Sequence, residues 1–238
     1  MDGSLANPLT AAHAIVRLKK RAGKLGITVS AGSDFNYFQT IHKEGPGTDV
    51  SVFFDPNLSD LNQSNAMWIA GHRGGELVHI QAFRTCYVGE GFRQWFMTWM
   101  LGMHNRRGEK AVIKRFEERE TEQTANLRGR LVYHGDVWVK SENTGLLQGP
   151  VDCLGPLGLL AAYVKWRPEA IFAMVSERLI KRGITPRYGY PYVERGFVTW
   201  KKIDAGIAGK EGLAVARHGD LEDLIVAMMD RRGSNPLD

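Results

Sequence analysis

The chain has 238 residues, 43% hydrophobic and 24% charged, with 31 basic residues against 26 acidic ones. This composition supports a packed core and excludes wholesale disorder. The surplus of five positive charges suits an anionic ligand and is no more than surface solubility requires. Cys86 and Cys153, the two cysteines, make neither a disulfide framework nor a zinc site, and no metal centre is expected. Met1 to Asn7 has neither a basic start nor an apolar run. The longest apolar stretch, Leu154 to Val164, falls short of the roughly 18 residues that span a bilayer. The expectation is a cytoplasmic protein with no membrane partner, read as a single domain over 1–238.

In chain order, a first helix is capped by Asn7 and opened by Pro8, with Leu9, Ala12, Ile15 and Val16 as its apolar stripe and Gly26 as its stop. Its Arg17 to Arg21 cluster reads as a solvated basic face. Ile27 to Ser30 and Phe35 to His42 read as short strands. Ala66 to Gly71 and Glu76 to Val88 flank Arg73-Gly74-Gly75 as a hairpin, with Val78, Ile80 and Ala82 on one face and His79 and Gln81 on the other. Residues 91–104 form an amphipathic helix, with Phe92, Trp95, Phe96, Trp99, Met100 and Met103 at three- and four-residue spacing. It is a core helix, a homodimer face through Trp95 and Trp99, or a lid over an apolar substrate; membrane-surface binding ranks last because the polar face carries little basic charge. Residues 106–130 carry mixed charge and suggest a partly exposed helix or a long connection.

Leu131 to Lys140 is a strand with Leu131, Tyr133, Val137 and Val139 on one face and His134, Asp136, Trp138 and Lys140 on the other. That facing holds only if Gly135 does not bulge. In the loop after this strand, Gly145 and Gly149 let backbone N–H groups approach an anion. Residues 154–164 are apolar all round and must be a buried helix, which starts at Pro150 or Pro156, since Pro156 would break a helix begun earlier. Ala170 to Val175 is a buried strand. Ser176 caps a short helix ending at Gly183, Tyr192 to Trp200 is a strand, and Asp220 caps a last helix over about 221–232.

This order of elements, over roughly residues 27–200, resembles the GNAT acyltransferase superfamily, with 201–238 as a C-terminal strand and helix extension. The resemblance rests on Asn65 to Trp68 and Val78 to Arg84 in the hairpin, the strand with Gly135, the glycine loop, the buried helix, and Arg187-Tyr188-Gly189-Tyr190 before the last long strand. It implies a mixed, mostly antiparallel sheet with flanking helices, in which the strand over 131–140 splays from its neighbour at a bulge. It also implies acetyl-CoA or another acyl-CoA along Val137, Trp138 and Val139, with phosphates near Gln148, Gly149 and Val151. The reaction implied is acyl transfer to an amine of a small molecule or a peptide. For that chemistry His134 is the base by residue type, Asp136 its orienting carboxylate or a binder of a cationic substrate, and Tyr188, Tyr190 or Tyr192 the acid.

The loop departs from the family pattern. Asn143 to Gly149 has no basic residue, Asp152 brings a carboxylate to the helix start, and Thr185 stands near where a tyrosine is usual. These departures support a second reading, a GNAT-like binding or scaffold protein without cofactor. A nucleic-acid-associated protein ranks below both, because the basic residues are interleaved with acids. Other chemistries lack their motifs: there is no Gly-x-Ser-x-Gly elbow, and Gly206 to Lys210 has the wrong spacing for a P-loop.

Overall fold

A computed structural model describes residues 8–116, 119–140, 149–202 and 209–230. The elements run α1 (Pro8–Lys24), β1 (Ile27–Gly32), α2 (Phe35–Glu44), β2 (Ala66–Arg73), β3 (Glu76–Val88), α3 (Phe92–Arg106), β4 (Val112–Phe116), α4 (Glu122–Ala125), β5 (Gly129–Val139), α5 (Val151–Trp166), β6 (Ala170–Ser176), α6 (Glu177–Lys181), α7 (Ile184–Tyr188), β7 (Tyr192–Lys202), β8 (Gly209–Arg217) and α8 (His218–Asp230). The strands form one mixed sheet in the order β1-β2-β3-β5-β6-β8-β7-β4. Every neighbouring pair is antiparallel except β5 and β6, which run parallel. A parallel pair needs a crossover, and α5 supplies it.

The sheet carries a core on each face. On one, α2, α3 and the segment around Phe53 and Phe54 bury Phe35, Phe38, Trp68, Phe96, Tyr133 and Phe172. On the other, α1, α5 and α8 bury Leu18, Phe83, Val132, Leu160, Tyr163 and Ile225. Among the described residues no helix is long and apolar enough to cross a membrane.

Several local expectations are corrected. Residues 35–42 are helix, not strand. The Asp34 carboxylate accepts from the N–H groups of Asn36 and Tyr37 (3.0 and 3.1 Å), and Phe35, Phe38, Ile41 and His42 fall on one buried helical face. In α1 the face turned inward is Ala11, Ala14, Leu18 and Ala22, while Leu9 is 72% exposed and Val16 49%. The small alanines allow α1 to lie close on α5. The expected cap Asn7 lies outside the described residues. The mixed-charge stretch holds β4, paired to β7 at the sheet edge, and α4, whose Thr121 and Thr124 form a capping box. The last helix starts at His218, with Asp220 inside its first turn. α5 begins at Val151 and runs straight through Pro156. Its burial outweighs the single backbone hydrogen bond that proline withholds.

The tryptophans of α3 stack on each other at 5.3 Å and turn inward. Trp99 lies 4.6 Å from Phe53 and 5.2 Å from Tyr133, and Trp95 lies 6.3 Å from Phe172. The core-helix reading holds, and the homodimer face expected at Trp95 and Trp99 has no support in this fold. In the first turn of α3, Arg93 is fully buried. It binds both carboxylate oxygens of Glu194, reaches Thr124 Oγ1 at 3.2 Å and lies over the ring of Phe197.

Candidate functional site

The centre of the molecule is β5. From Leu131 to His134 it is bonded on both sides, to β3 and to β6, where Leu131 faces Ala170 and His134 faces Ala173. Beyond that point β6 pairs on through Ser176 with β8 alone, and β5 pairs on with β3 alone. The two strands part, as the resemblance implied. A bulge lies at the parting. Ala82 faces Gly135 and Ile80 faces Trp138, so β5 carries one extra residue. Asp136 takes it up with φ 46, a left-handed conformation uncommon outside glycine. Gly135 is required because a Cβ there would sit 2.9 Å from the Tyr133 ring and 3.0 Å from Phe54.

The bulge reverses the facing of the residues after it, so the expected pairing of His134 with Asp136 on one face does not form. Asp136 turns to the α2 face, where Oδ2 accepts the Ser51 N–H at 2.9 Å. Trp138 packs on the same side, near Gly45. His134 stays on the α5 face with Val139. Burial raises the Asp136 carboxyl above the usual carboxylate range, against the pull of Ser51, His42 and Arg107. Val137 is 41% exposed. A similar irregularity between Gly71 and His72 puts Val78 on the α5 face, away from Ile80 and Ala82.

Beneath α5 the sheet presents three polar side chains, His79, Gln81 and His134, all 2% exposed or less. Two tyrosines from the other side of the parting reach them. The Tyr188 hydroxyl meets His79 Nε2 at 2.9 Å, and the Tyr190 hydroxyl meets His134 Nδ1 at 2.8 Å. The Tyr188 ring packs against both imidazoles, at 5.9 Å from His79 and 5.7 Å from His134, and His134 stacks on Phe83 at 4.3 Å. Gln81 Nε2 donates to the Leu154 carbonyl. Two glycines of α5 permit this. A Cβ on Gly158 would fall 2.5 Å from the Gln81 amide, and one on Gly155 would fall 2.7 Å from the Tyr188 ring and 2.9 Å from its Cα. Burial pulls both imidazoles down to about 3, so they are neutral, and pushes both phenols far above their ordinary value. His79 Nδ1, Gln81 Oε1 and His134 Nε2 are buried with no hydrogen-bond partner among the described residues.

The start of α5 is occupied by its own chain. The N–H of Asp152 turns back to Gly149 at 3.1 Å and those of Cys153 and Leu154 to Pro150. Asp152 is neutralised by Arg187 of α7 through two bonds of 2.8 and 2.9 Å. Gly149 and Val151 are buried here, while Gly145 and Gln148 lie outside the described residues. Cys86 and Cys153 are free thiols whose pKa values burial pushes up to about 12 and about 11. Among the described residues no cluster of histidine, cysteine and carboxylate side chains could hold a metal ion.

The structure therefore brings His134, Tyr188 and Tyr190 together and separates Asp136 from them. It adds His79, Gln81, Gly155 and Gly158, which the sequence alone does not assign to a site. Their signal is present in it: two polar residues alternating on the inward face of an apolar strand, and two glycines three apart on an apolar helix.

No protein-family model and no curated protein sequence matches this chain. Solved structures with a similar arrangement include NAA60 of Arabidopsis thaliana in complex with acetyl-CoA, at 14% identity over 80% of this chain and 98% of that one, with a TM-score of 0.43. Another is spermidine N-acetyltransferase from Vibrio cholerae in complex with CoA and spermine, at 8% identity over 82% and 98%, with a TM-score of 0.42. A third is an acetyltransferase of the GNAT family from Streptococcus pneumoniae, at 9% identity over 80% and 99%, with a TM-score of 0.39.

Proposed function

We propose that this chain is a divergent GNAT-type N-acyltransferase that takes its acyl group from acyl-CoA and gives it to an amine of a small molecule or a peptide. One observation supports this above the others: the parallel strands β5 and β6 separate at His134 and Ala173, at a bulge. The separation leaves the β5 backbone from Asp136 to Val139 without a β6 partner. An extended amide-bearing arm can bond to such an edge as a strand would.

Acyl-CoA supplies a thioester. In the transfer the amine nitrogen bonds to the thioester carbon, the carbon–sulfur bond breaks, the amine loses a proton and the thiolate gains one. The roles follow from the faces. Asp136, with its carboxyl raised by burial, is the group to accept the amine proton on the α2 side. Tyr188 and Tyr190, high in pKa and bonded to neutral histidines, are the proton donors on the α5 side. The N–H groups of β5 that alternation turns away from β3, Val139 first among them, are the donors for the carbonyls of the arm.

A second reading is favoured by a specific contact. Gly155 and Tyr188 approach so closely that α5 and α7 leave no passage between them, and Arg187 is engaged by Asp152. With that passage permanently shut, the fold serves as a binding or scaffold protein. Calorimetric titration with acetyl-CoA and with a longer acyl-CoA decides between the two. Saturable binding with protection of residues 137–139 supports the enzyme. No heat and no thermal shift at millimolar ligand, in wild type and in variants with α7 loosened, leaves the scaffold reading.

A further inference from the structure

The segment from Gly183 to Tyr190 forms one wall of the buried cluster. Glycines in left-handed conformations bound α7 on both sides, Gly183 with φ 68 and Gly189 with φ 101. Backbone rotation at such positions is less restricted than at any other residue. Side-chain bonds tie the segment to the cluster and to α5: Tyr188 to His79, Tyr190 to His134, and Arg187 to Asp152 at the partly exposed outer end. Water has access to the Arg187–Asp152 pair, and once the segment moves it can satisfy the two tyrosine hydroxyls as well.

Beneath this wall the closed packing is imperfect in one respect. His79 Nδ1, Gln81 Oε1 and His134 Nε2 have no hydrogen-bond partner among the described residues, although their own residues are almost completely buried. Buried polar atoms are nearly always paired, and each exception is a standing cost of the conformation that contains it. All three lie on the α5 face of β3 and β5, next to the parting of β5 from β6. A conformation that admits a polar group there relieves the cost. Gly155 points the same way: it is the α5 glycine at which α7 reaches backbone contact, so the fit between the two helices depends on a missing methyl group.

We propose that Gly183–Tyr190 is a displaceable strap that shuts the space between α5 and β5, and that its displacement exposes His79, Gln81 and His134 to an amide-bearing ligand. The ligand half rests on the function proposed above and names the pantetheine arm of acyl-CoA, which carries two amides. The strap itself does not depend on that reading.

The test is carbethoxylation of His79 and His134 by diethyl pyrocarbonate in the full chain, located by mass spectrometry. Amide exchange of Ile171 to Ala173 in β6 is followed in parallel as the report on global unfolding. Gly155→Ala adds a methyl group against Tyr188, and Tyr190→Phe removes one attachment without adding volume. Each is expected to raise labelling of both histidines about tenfold while β6 exchange stays within about threefold. Labelling that rises only in step with β6 exchange, in both variants, overturns the strap. Acetyl-CoA is then added to the loosened variants. Protection of the two histidines together with slower exchange at residues 137–139 supports the ligand half. Unchanged labelling overturns the ligand half and leaves the strap standing.

Discussion

The two buried histidines make stability fall with acid in a way that can be calculated. In the folded protein His79 and His134 titrate at about 3, against 6.5 for a free imidazole, because burial disfavours the charged ring. The unfolded chain therefore binds protons below pH 6.5 that the folded chain refuses. The stability these groups contribute is complete above that value and is lost as pH falls toward 3. Each histidine removes about 1.4 kcal/mol per pH unit in that window, so at about pH 5 the pair has removed about 4 kcal/mol. That is a large part of the total stability of an ordinary domain, about 5–15 kcal/mol. Asp136 and Glu211 act in the opposite direction, since burial raises both carboxyls and the folded state then gains protons first. The quantity to measure is thus the difference between wild type and a chain carrying His79→Gln and His134→Gln. Urea unfolding of both at a series of pH values between about 8 and 5 gives it. The expected result is a wild-type loss that exceeds the loss of the variant by about 4 kcal/mol at about pH 5. Parallel curves, within about 1 kcal/mol across the range, would refute the burial of the two imidazoles as described.

Other substitutions report on individual contacts. Gly158→Ala drives a methyl group into the Gln81 amide and is expected to cost about 2–3 kcal/mol in chemical denaturation. Asp136→Ala loses both the acceptor for the Ser51 N–H and a residue type tolerant of positive φ, at about 2 kcal/mol or more. Asp136→Asn keeps both properties and should stay within about 1 kcal/mol of wild type near neutral pH. Arg93→Met leaves the partly buried Glu194 without its cation and is expected to cost about 2–3 kcal/mol, with the loss following the region around α4 and β7 in hydrogen exchange.

The sequence carries the architecture further than the site. The hairpin turn at Gly74-Gly75, the all-apolar α5 and the order of elements around β5 follow from periodicity and turn chemistry, and the strands and helices lie there within a few residues. The failures have local causes. Residues 35–42 are rich in aromatic residues, which favours strand, but the cap at Asp34 and the three- to four-residue spacing of Phe35, Phe38 and Ile41 decide for helix. In α1 the larger side chains point to the wrong buried face, because close packing on a neighbouring helix selects alanine. At the site, one extra residue is enough to undo the expected pairing. Period-two reasoning puts His134 and Asp136 side by side, and the bulge at Gly135 turns them to opposite faces. The tyrosines that His134 meets, Tyr190 directly and Tyr188 across its ring, come from residues more than fifty positions later. No local pattern in the sequence could join them.

The measurement that bears most directly on the proposed function is titration of acetyl-CoA into the Gly155→Ala and Tyr190→Phe proteins, with amide exchange followed at residues 137–139. An acyltransferase with a displaceable strap is expected to bind acetyl-CoA more tightly in both variants than in wild type, with slowed exchange along that edge of β5. Loosened variants that remain folded and show neither binding nor protection at millimolar acetyl-CoA would contradict it.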